Sequence, residues 1–257
     1  MAHQNLLTSR EGAYCTVTLN RPDKRNALSL DLMRELTDTL RGIGESDALG
    51  VILAANGPVF SAGHNFADMA GASRQQVREL FAVCTTLMNT VQGIAQPVLA
   101  RVHGLATAAG CQLVASCDLA VASESAGFAI PGGKAALFCH TPLVAVARNV
   151  GRKRALEMAM TGDAIDAATA AQWGLINKAV PAAELESATL DLLRRATRGT
   201  ARSKALGKQA YYRQIELPQD QAYAFAGDVM ADGAMDNDAQ EGFRAFLEKR
   251  PPRFEKP

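Results

Sequence analysis

The chain has 257 residues, and its 27 basic and 26 acidic side chains leave a formal net charge of +1, which excludes nucleic acid as a charge-driven partner. A hydrophobic share of 48% supports a large buried core, and no segment approaches the length of a membrane span, so no membrane partner is expected. Five cysteines (Cys15, Cys84, Cys111, Cys117, Cys139) form no CxxC pair, the start MAHQNLLTSR lacks the pattern of a secretory leader, and the end RFEKP is no peroxisomal tripeptide. The expectation is a reduced, cytoplasmic protein, with an organelle left open by composition.

Tyr14–Leu19 (YCTVTL) is β-branched and aromatic, as a strand requires, and the following RPD turns the chain. Ser29 suits a helix N-cap, with Leu32, Met33, Leu36, Leu40 and Ile43 recurring at three- and four-residue spacing until the Gly44 region. Gly50–Ala55 (GVILAA) is a continuous apolar run, the pattern of a strand covered on both faces, and NGPVFSAG bends away from it. After a polar stretch around Gly71–Gln76, Val77–Gln92 has helical periodicity, and VLARVH after Pro97 predicts a second buried strand. Leu105–Ser116, rich in small residues, is read as a helix packed close to its neighbours, and Asp118–Ser123 as a third strand. From about Pro181 every segment has helical character. Alternation followed by a helical tail predicts an α/β core with an all-helical extension. The tail's Tyr211, Tyr212, Phe225, Phe243 and Phe246 exceed what a thin surface layer hides, so packing against another subunit is expected.

Two segments put small residues where backbone must approach a ligand: Phe60–Asn65 (FSAGHN) and His103–Cys111 (HGLATAAGC). Glycine permits the unusual backbone angles of such turns, and the first turn of a helix has N–H groups without intrahelical partners. Two such donors on one oxygen make an oxyanion hole, whereas either segment alone reads first as a tight turn beside a closely packed helix. Four histidines and five cysteines, dispersed without HExxH or paired CxxC spacing, predict no metal site. The Gly151–Arg154 run (GRKR) is read as a solvated turn between helices.

Five segments together resemble the enoyl-CoA hydratase/isomerase family, the crotonase superfamily, and follow its order: Leu19–Ser29, Phe60–Met69, Pro97–Ser123, Ala155–Pro181 and Glu241–Phe254. PGGKAALFCHTPLVAVAR and LPQDQAYAFA are similar, more narrowly, to its mitochondrial enoyl-CoA hydratase domain-containing subgroup. The resemblance implies an α/β fold, a spiral of ββα units over residues 1–198 with an all-helical region over 199–257 that builds homotrimers, often paired into hexamers. It implies an acyl-CoA thioester as partner and no separate cofactor, since CoA is part of the substrate. It also assigns the oxyanion N–H groups to His64 and Ala109. CoA contacts fall on Lys24, Arg25, Ala27, Ala62, His64 and Asn65 and, from a neighbouring subunit, on Phe246 and Lys249.

The chain departs from that family at both hydratase glutamates, which are Gln112 in AAGCQL and Gly132 in FAIPGGKAAL. An amide orients water but takes no proton from it, and glycine does neither. Ordinary hydration is therefore expected to be weak or absent. What is left is acyl-CoA chemistry of the lyase or isomerase kind through a thioester enolate, with a non-catalytic acyl-CoA binder as the alternative. Eight residues beyond Gly132, where the family's dienoyl-CoA isomerases have an aspartate, stands His140, a candidate for proton transfer and equally for packing at a helix start. Cys139 beside it is a candidate nucleophile if its pKa is lowered. His64 offers its backbone, and its side chain is a candidate to enter the site; His103 is expected to close a strand, and His3 to lie in a terminal arm.

Overall fold

A computed structural model describes residues 5–254; the expectation for His3 and the last three residues of RFEKP lie outside them. The chain opens with an antiparallel hairpin, β1 (Leu6–Glu11) and β2 (Tyr14–Leu19), joined through Gly12 at φ +59°. Sequence periodicity missed β1, because only Leu6 of LLTSRE is buried and the strand lies at a sheet edge. Helix α1 (Leu30–Gly44) starts where predicted: the Leu32 N–H donates to the Ser29 hydroxyl, and Leu32, Met33, Leu36 and Leu40 face the core.

Three ββα units follow. They are β3 (Gly50–Ala55), β4 (Val59–Ser61) and α2 (Arg74–Gly93); β5 (Val98–Val102), β6 (Leu105–Thr107) and α3 (Ala109–Ser116); and β7 (Leu119–Ser123), β8 (Gly127–Ala129) and α4 (His140–Val150). The first strand of each unit joins a six-stranded sheet ordered β1-β2-β3-β5-β7-β10, and the second joins a four-stranded sheet ordered β4-β6-β8-β9. The remaining elements are α5 (Arg152–Thr161), β9 (Ile165–Asp166), α6 (Ala167–Trp173) and β10 (Lys178–Val180), then α7 (Leu185–Ala196), α8 (Ala201–Gln214), α9 (Gln219–Ala234) and α10 (Asn237–Leu247). One expectation is corrected: Leu105–Thr107 is a strand, and the helix begins only at Ala109. The pairing partners β4 and β8 are distant in sequence, and their ladder overrides the local preference of LAT.

The continuous apolar run of β3 has a direct cause. Val51 and Leu53 join the main core with α1 and α2, whereas Ile52 and Ala54 join a second cluster with Leu185 and Leu193 of α7. A strand buried on both faces cannot alternate. Of the basic GRKR run only Gly151, at φ +80°, is the turn between α4 and α5; Arg152, Lys153 and Arg154 are the first turn of α5, with exposed side chains. No described helix is long and apolar enough to cross a membrane.

The helical tail is anchored to the sheet by one buried polar node. The Lys208 ammonium on α8 is 2.8 Å from Asp118 Oδ2 and also donates to the Val91 (2.9 Å) and Gln96 (2.8 Å) carbonyls. The Tyr212 hydroxyl donates to Asp118 Oδ1 at 2.8 Å and the Val98 N–H to Oδ2 at 2.6 Å. Burial raises the Asp118 carboxyl and lowers the Lys208 ammonium from their ordinary pKa values, and their attraction opposes both shifts. Tyr212 thus bonds within its own chain, while Tyr211, Phe243 and Phe246 stay exposed in the single chain and Phe225 lies under the Arg213 guanidinium, 4.3 Å from its ring centre. Breaking the pair leaves a buried carboxylate without its cation, so Lys208→Met is expected to cost about 3–5 kcal/mol. Tyr212→Phe, which removes one bond to a charged group, is expected to cost about 1.5–3 kcal/mol. Urea unfolding of both variants checks the order, and equal midpoints for parent and Lys208→Met reject it.

Candidate active site

The first wall of the site is held by residues from three places in the sequence. Asn26 is fully buried at φ +50°, a backbone angle that asparagine tolerates better than most residues. Its side-chain oxygen accepts from the Arg21 N–H (2.9 Å), and its amide donates to the Asn56 (2.7 Å) and Val59 (3.0 Å) carbonyls. Its carbonyl accepts from the Ser61 hydroxyl at 2.8 Å. The Ala62 N–H donates to the Arg25 carbonyl (3.0 Å), Leu28 N–H to the Gly63 carbonyl (2.7 Å), and Asn65 N–H to the Leu28 carbonyl (3.3 Å). The loop Ala62–Asn65 is thus fixed on both sides of His64, whose own N–H donates to no group among the described residues.

The second wall is the start of α3. Ala109 opens that helix, so no helical turn receives its N–H. Ala108 before it stands at φ +49° and ψ −119°, a strained angle for a residue with a Cβ, costing about 1–3 kcal/mol. The two walls meet without room for side chains. A Cβ on Gly63 would lie 2.9 Å from Ala108 Cβ and 3.3 Å from the Ala109 nitrogen; one on Gly110 would lie 2.5 Å from the Ser61 carbonyl oxygen. The His64 and Ala109 N–H groups therefore flank one small region. Such an arrangement can hold an oxygen that gains negative charge.

Beside it lies a cavity of about 610 Å³, with Ala62, His64, Phe66 and Met69 on one side, Thr107–Ala109 on another, Pro131–Pro142 in part on a third, and Phe81 of α2. No aspartate or glutamate is among its lining residues. The His64 ring stands edge-on to Phe81, 5.4 Å between centres, and neither ring nitrogen has a hydrogen-bond partner. Leaving a buried polar atom unpaired costs about 1–3 kcal/mol. Burial lowers the His64 pKa; the Leu28 carbonyl and Asp68 oppose this less strongly, so the ring is neutral at neutral pH.

The other expected residues divide. His140 lines the cavity as the exposed first residue of α4, its ring 5.2 Å from that of Phe138. Cys139 also lines it, but burial pushes its thiol pKa up, and its sulfur accepts the Gly132 N–H at 3.2 Å; the lowered pKa a nucleophile needs is absent. Gly132 is closed to any side chain: a Cβ there would lie 2.2 Å from the Leu137 carbonyl oxygen and 2.6 Å from the Cys139 sulfur. Gln112 is buried in α3 with its side-chain oxygen 4.0 Å from the Cys84 sulfur, and it does not line the cavity. Ala62 and His64 line the cavity and Asn65 caps the next short helix, whereas Lys24, Arg25 and Ala27 belong to the loop that clamps Ala62. Phe246 and Lys249 are exposed at the end of α10 and outside the cavity. His103 follows β5 and donates to the Gly57 carbonyl at 2.8 Å. Asn26 and Phe81 escaped sequence reasoning. Asparagine's tolerance of positive φ, just before ALS, was the available signal for the first; nothing in the sequence pointed a helical phenylalanine at the site.

Two outcomes follow. Gly132→Glu, which puts a carboxylate where the resemblance implies a family glutamate, is expected to destabilise by about 1–3 kcal/mol or more through overpacking, read as a lower melting temperature; an unchanged value removes the steric closure. For His64 the unfolded chain binds a proton more readily than the folded one. Stability therefore falls as pH drops through about 6.5, the ordinary histidine value, toward the lower folded one. His64→Gln should flatten that fall in urea midpoints taken over the same pH series, and identical slopes reject a buried neutral imidazole.

Comparison with known proteins places this geometry. The profile of the family described as enoyl-CoA hydratase/isomerase matches residues 9–257. The zebrafish (Danio rerio) protein named enoyl-CoA hydratase domain-containing protein 3, mitochondrial, is 44% identical over 248 residues, 96% of this chain and 86% of that one. The crystal structure of an enoyl-CoA hydratase of Mycobacterium smegmatis is 45% identical with a TM-score of 0.95, over 97% of this chain and 98% of that one. The human enoyl Coenzyme A hydratase domain-containing protein 3 is 40% identical with a TM-score of 0.94, over 98% of this chain and all of that one. With the ββα units and the helical C-terminal region, these likenesses establish that the chain belongs to the enoyl-CoA hydratase/isomerase family.

Proposed function

We propose that this chain takes an acyl-CoA thioester, holds its carbonyl oxygen between the His64 and Ala109 N–H groups, and lays the acyl chain in the adjoining cavity. The observation that carries this is the approach of the two walls at Gly63, where the Ala109 nitrogen lies 3.3 Å from the place of a Cβ. An oxygen held there is stabilised most when it carries enolate charge, each donor contributing about 10²–10³ in rate. Lys24 and Arg25 meet CoA phosphates as charge-assisted contacts beside Ala27, Ala62 and Asn65. Phe246 and Lys249 complete the CoA site from a neighbouring subunit of a homotrimer or hexamer built by residues 199–257. The exposed Phe246 and Tyr223 support such a contact. The setting is acyl-CoA and fatty-acid metabolism in the cytoplasm.

The reaction class is lyase or isomerase chemistry through the enolate, with His140 delivering a proton along the acyl chain. Efficient hydration is not expected, since Gln112 and Gly132 replace the two acid–base groups, each of which contributes about 10²–10⁴. The cavity's lack of carboxylates favours one second reading, a binder of acyl-CoA without turnover. A panel of enoyl-, dienoyl- and hydroxyacyl-CoAs separates the two. Turnover that falls about 10²–10⁴-fold in His140→Ala supports the enzyme; equal turnover in that variant dismisses His140, and affinity without any product leaves the binder.

A further inference from the structure

Ser61 ends β4 and is fully buried, and its hydroxyl is used twice: it donates to the Asn26 carbonyl at 2.8 Å and accepts from the Gly63 N–H at 3.3 Å. We propose that Ser61 is a positioning residue whose hydroxyl aims the His64 N–H at the thioester oxygen; the proposal rests on the thioester reading above.

The aim of that N–H is set by one peptide plane. The Gly63 carbonyl and the His64 N–H belong to the same trans peptide, so they point in opposite directions. The Leu28 N–H holds the carbonyl at 2.7 Å, which turns the His64 N–H away from Leu28. Rotation about the Gly63 Cα would still tilt the plane, and at φ +86° this glycine has no Cβ to resist it. The Ser61 hydroxyl opposes that rotation by holding the Gly63 N–H on the other side of the same Cα. The hydroxyl is itself fixed, because the Asn26 side chain is tied to residues 21, 56 and 59.

Ser61 also touches the second wall. A Cβ on Gly110, the residue after Ala109, would lie 2.5 Å from the Ser61 carbonyl oxygen, 2.7 Å from its Cβ and 2.9 Å from its hydroxyl oxygen, so the start of α3 rests on this serine. The side chain that steadies one donor is thus packed against the helical turn that carries the other. Removing the hydroxyl leaves two buried backbone groups unpaired, the Asn26 carbonyl and the Gly63 N–H, and the Gly63 peptide is the one free to turn. Polarisation of the carbonyl depends on where the donors point. The CoA contacts proposed above lie outside this tie, so affinity depends on it less.

The test uses the full chain and butyryl-CoA labelled with a heavy isotope at the thioester carbonyl carbon, whose stretching band falls in frequency when the oxygen accepts hydrogen bonds. Isotope-edited infrared spectra read the band of the bound ligand, and calorimetry reads affinity. The parent is expected to bind and to lower the band. Ser61→Ala is expected to bind within about tenfold of the parent, the worth of one neutral hydrogen bond, and to lose most of the shift. Thr189→Val removes another fully buried hydroxyl, one that donates to the Leu185 carbonyl in the cluster on the opposite face of the sheet, and is expected to keep the shift. Ser61→Cys, with a weaker donor and acceptor in the same place, is expected to fall between parent and Ser61→Ala, and it carries the reading if Ser61→Ala does not fold. A parental shift in either Ser61 variant overturns the proposal. An equal loss in Thr189→Val also overturns it, because the effect is then general loosening. If the parent binds with its band unmoved, the two donors do not hold the carbonyl, and this proposal falls while acyl-CoA binding stands. If the parent does not bind butyryl-CoA, the thioester reading falls and this proposal with it.

Discussion

The site depends on two stretches of backbone coming closer than side chains allow. Between Gly63 and the Ala108–Ala109 step, and between Gly110 and Ser61, a single methyl group would overlap its neighbours. The contact is supported from behind, because Asn26 ties residues 21, 56 and 59 together while its carbonyl takes the Ser61 hydroxyl. It is also supported from the side, where β4 and β6 pair in parallel and lead into the two walls. The strain at Ala108 is consistent with this: an alanine at a positive φ persists only when surrounding contacts over-determine it. In the proposed role such rigid donors need no reorganisation when charge develops on an oxygen, which makes them worth more than the same N–H groups in water.

The chemistry available beside those donors is set by what the cavity lacks. Gly132, where the resemblance puts one family glutamate, is shut by the Leu137 carbonyl and the Cys139 sulfur, so the 131–139 segment is shaped around a glycine. The other is an amide that turns toward Cys84 in the core. At both positions that the resemblance assigns to hydratase glutamates, the surrounding packing suits the residue present. The titratable side chains that line the cavity are those of His64, Cys139 and His140, and the surroundings of the two histidines differ. His64 is enclosed and unpaired, while His140 is exposed at a helix start.

The helical tail shares in the same stability. Asp118 sits at the junction of α3 and β7 and takes donors from Val98 of β5 and from Tyr212 and Lys208 of α8. Its node ties α8 to the sheet whose strands lead into the site. Much of the rest of the tail's apolar surface is uncovered in one chain, including Tyr211, Tyr223, Met230, Met235 and Phe246. That exposure is what supports the proposed contact with a neighbouring subunit.

Sequence alone determined the elements whose signal is local: β2, β3, β5 and β7 from apolar runs, α1 from its Ser29 cap and spacing, and the helical character after Pro181. It also determined the two small-residue segments and the order of the motifs that mark the family, since both are written in the chain itself. β1 and β6 needed the sheet, because pairing across distant residues outweighs the preference of six or three residues. The tertiary structure alone decided that Gly132 has no room for a side chain, that Gln112 is buried beside Cys84 and outside the cavity lining, that burial raises the Cys139 thiol, and that the His64 ring nitrogens are buried without a hydrogen-bond partner. Each of these is a fact about neighbours brought together from far along the chain. Burial, steric closure and pKa are set by those neighbours and not by residue type.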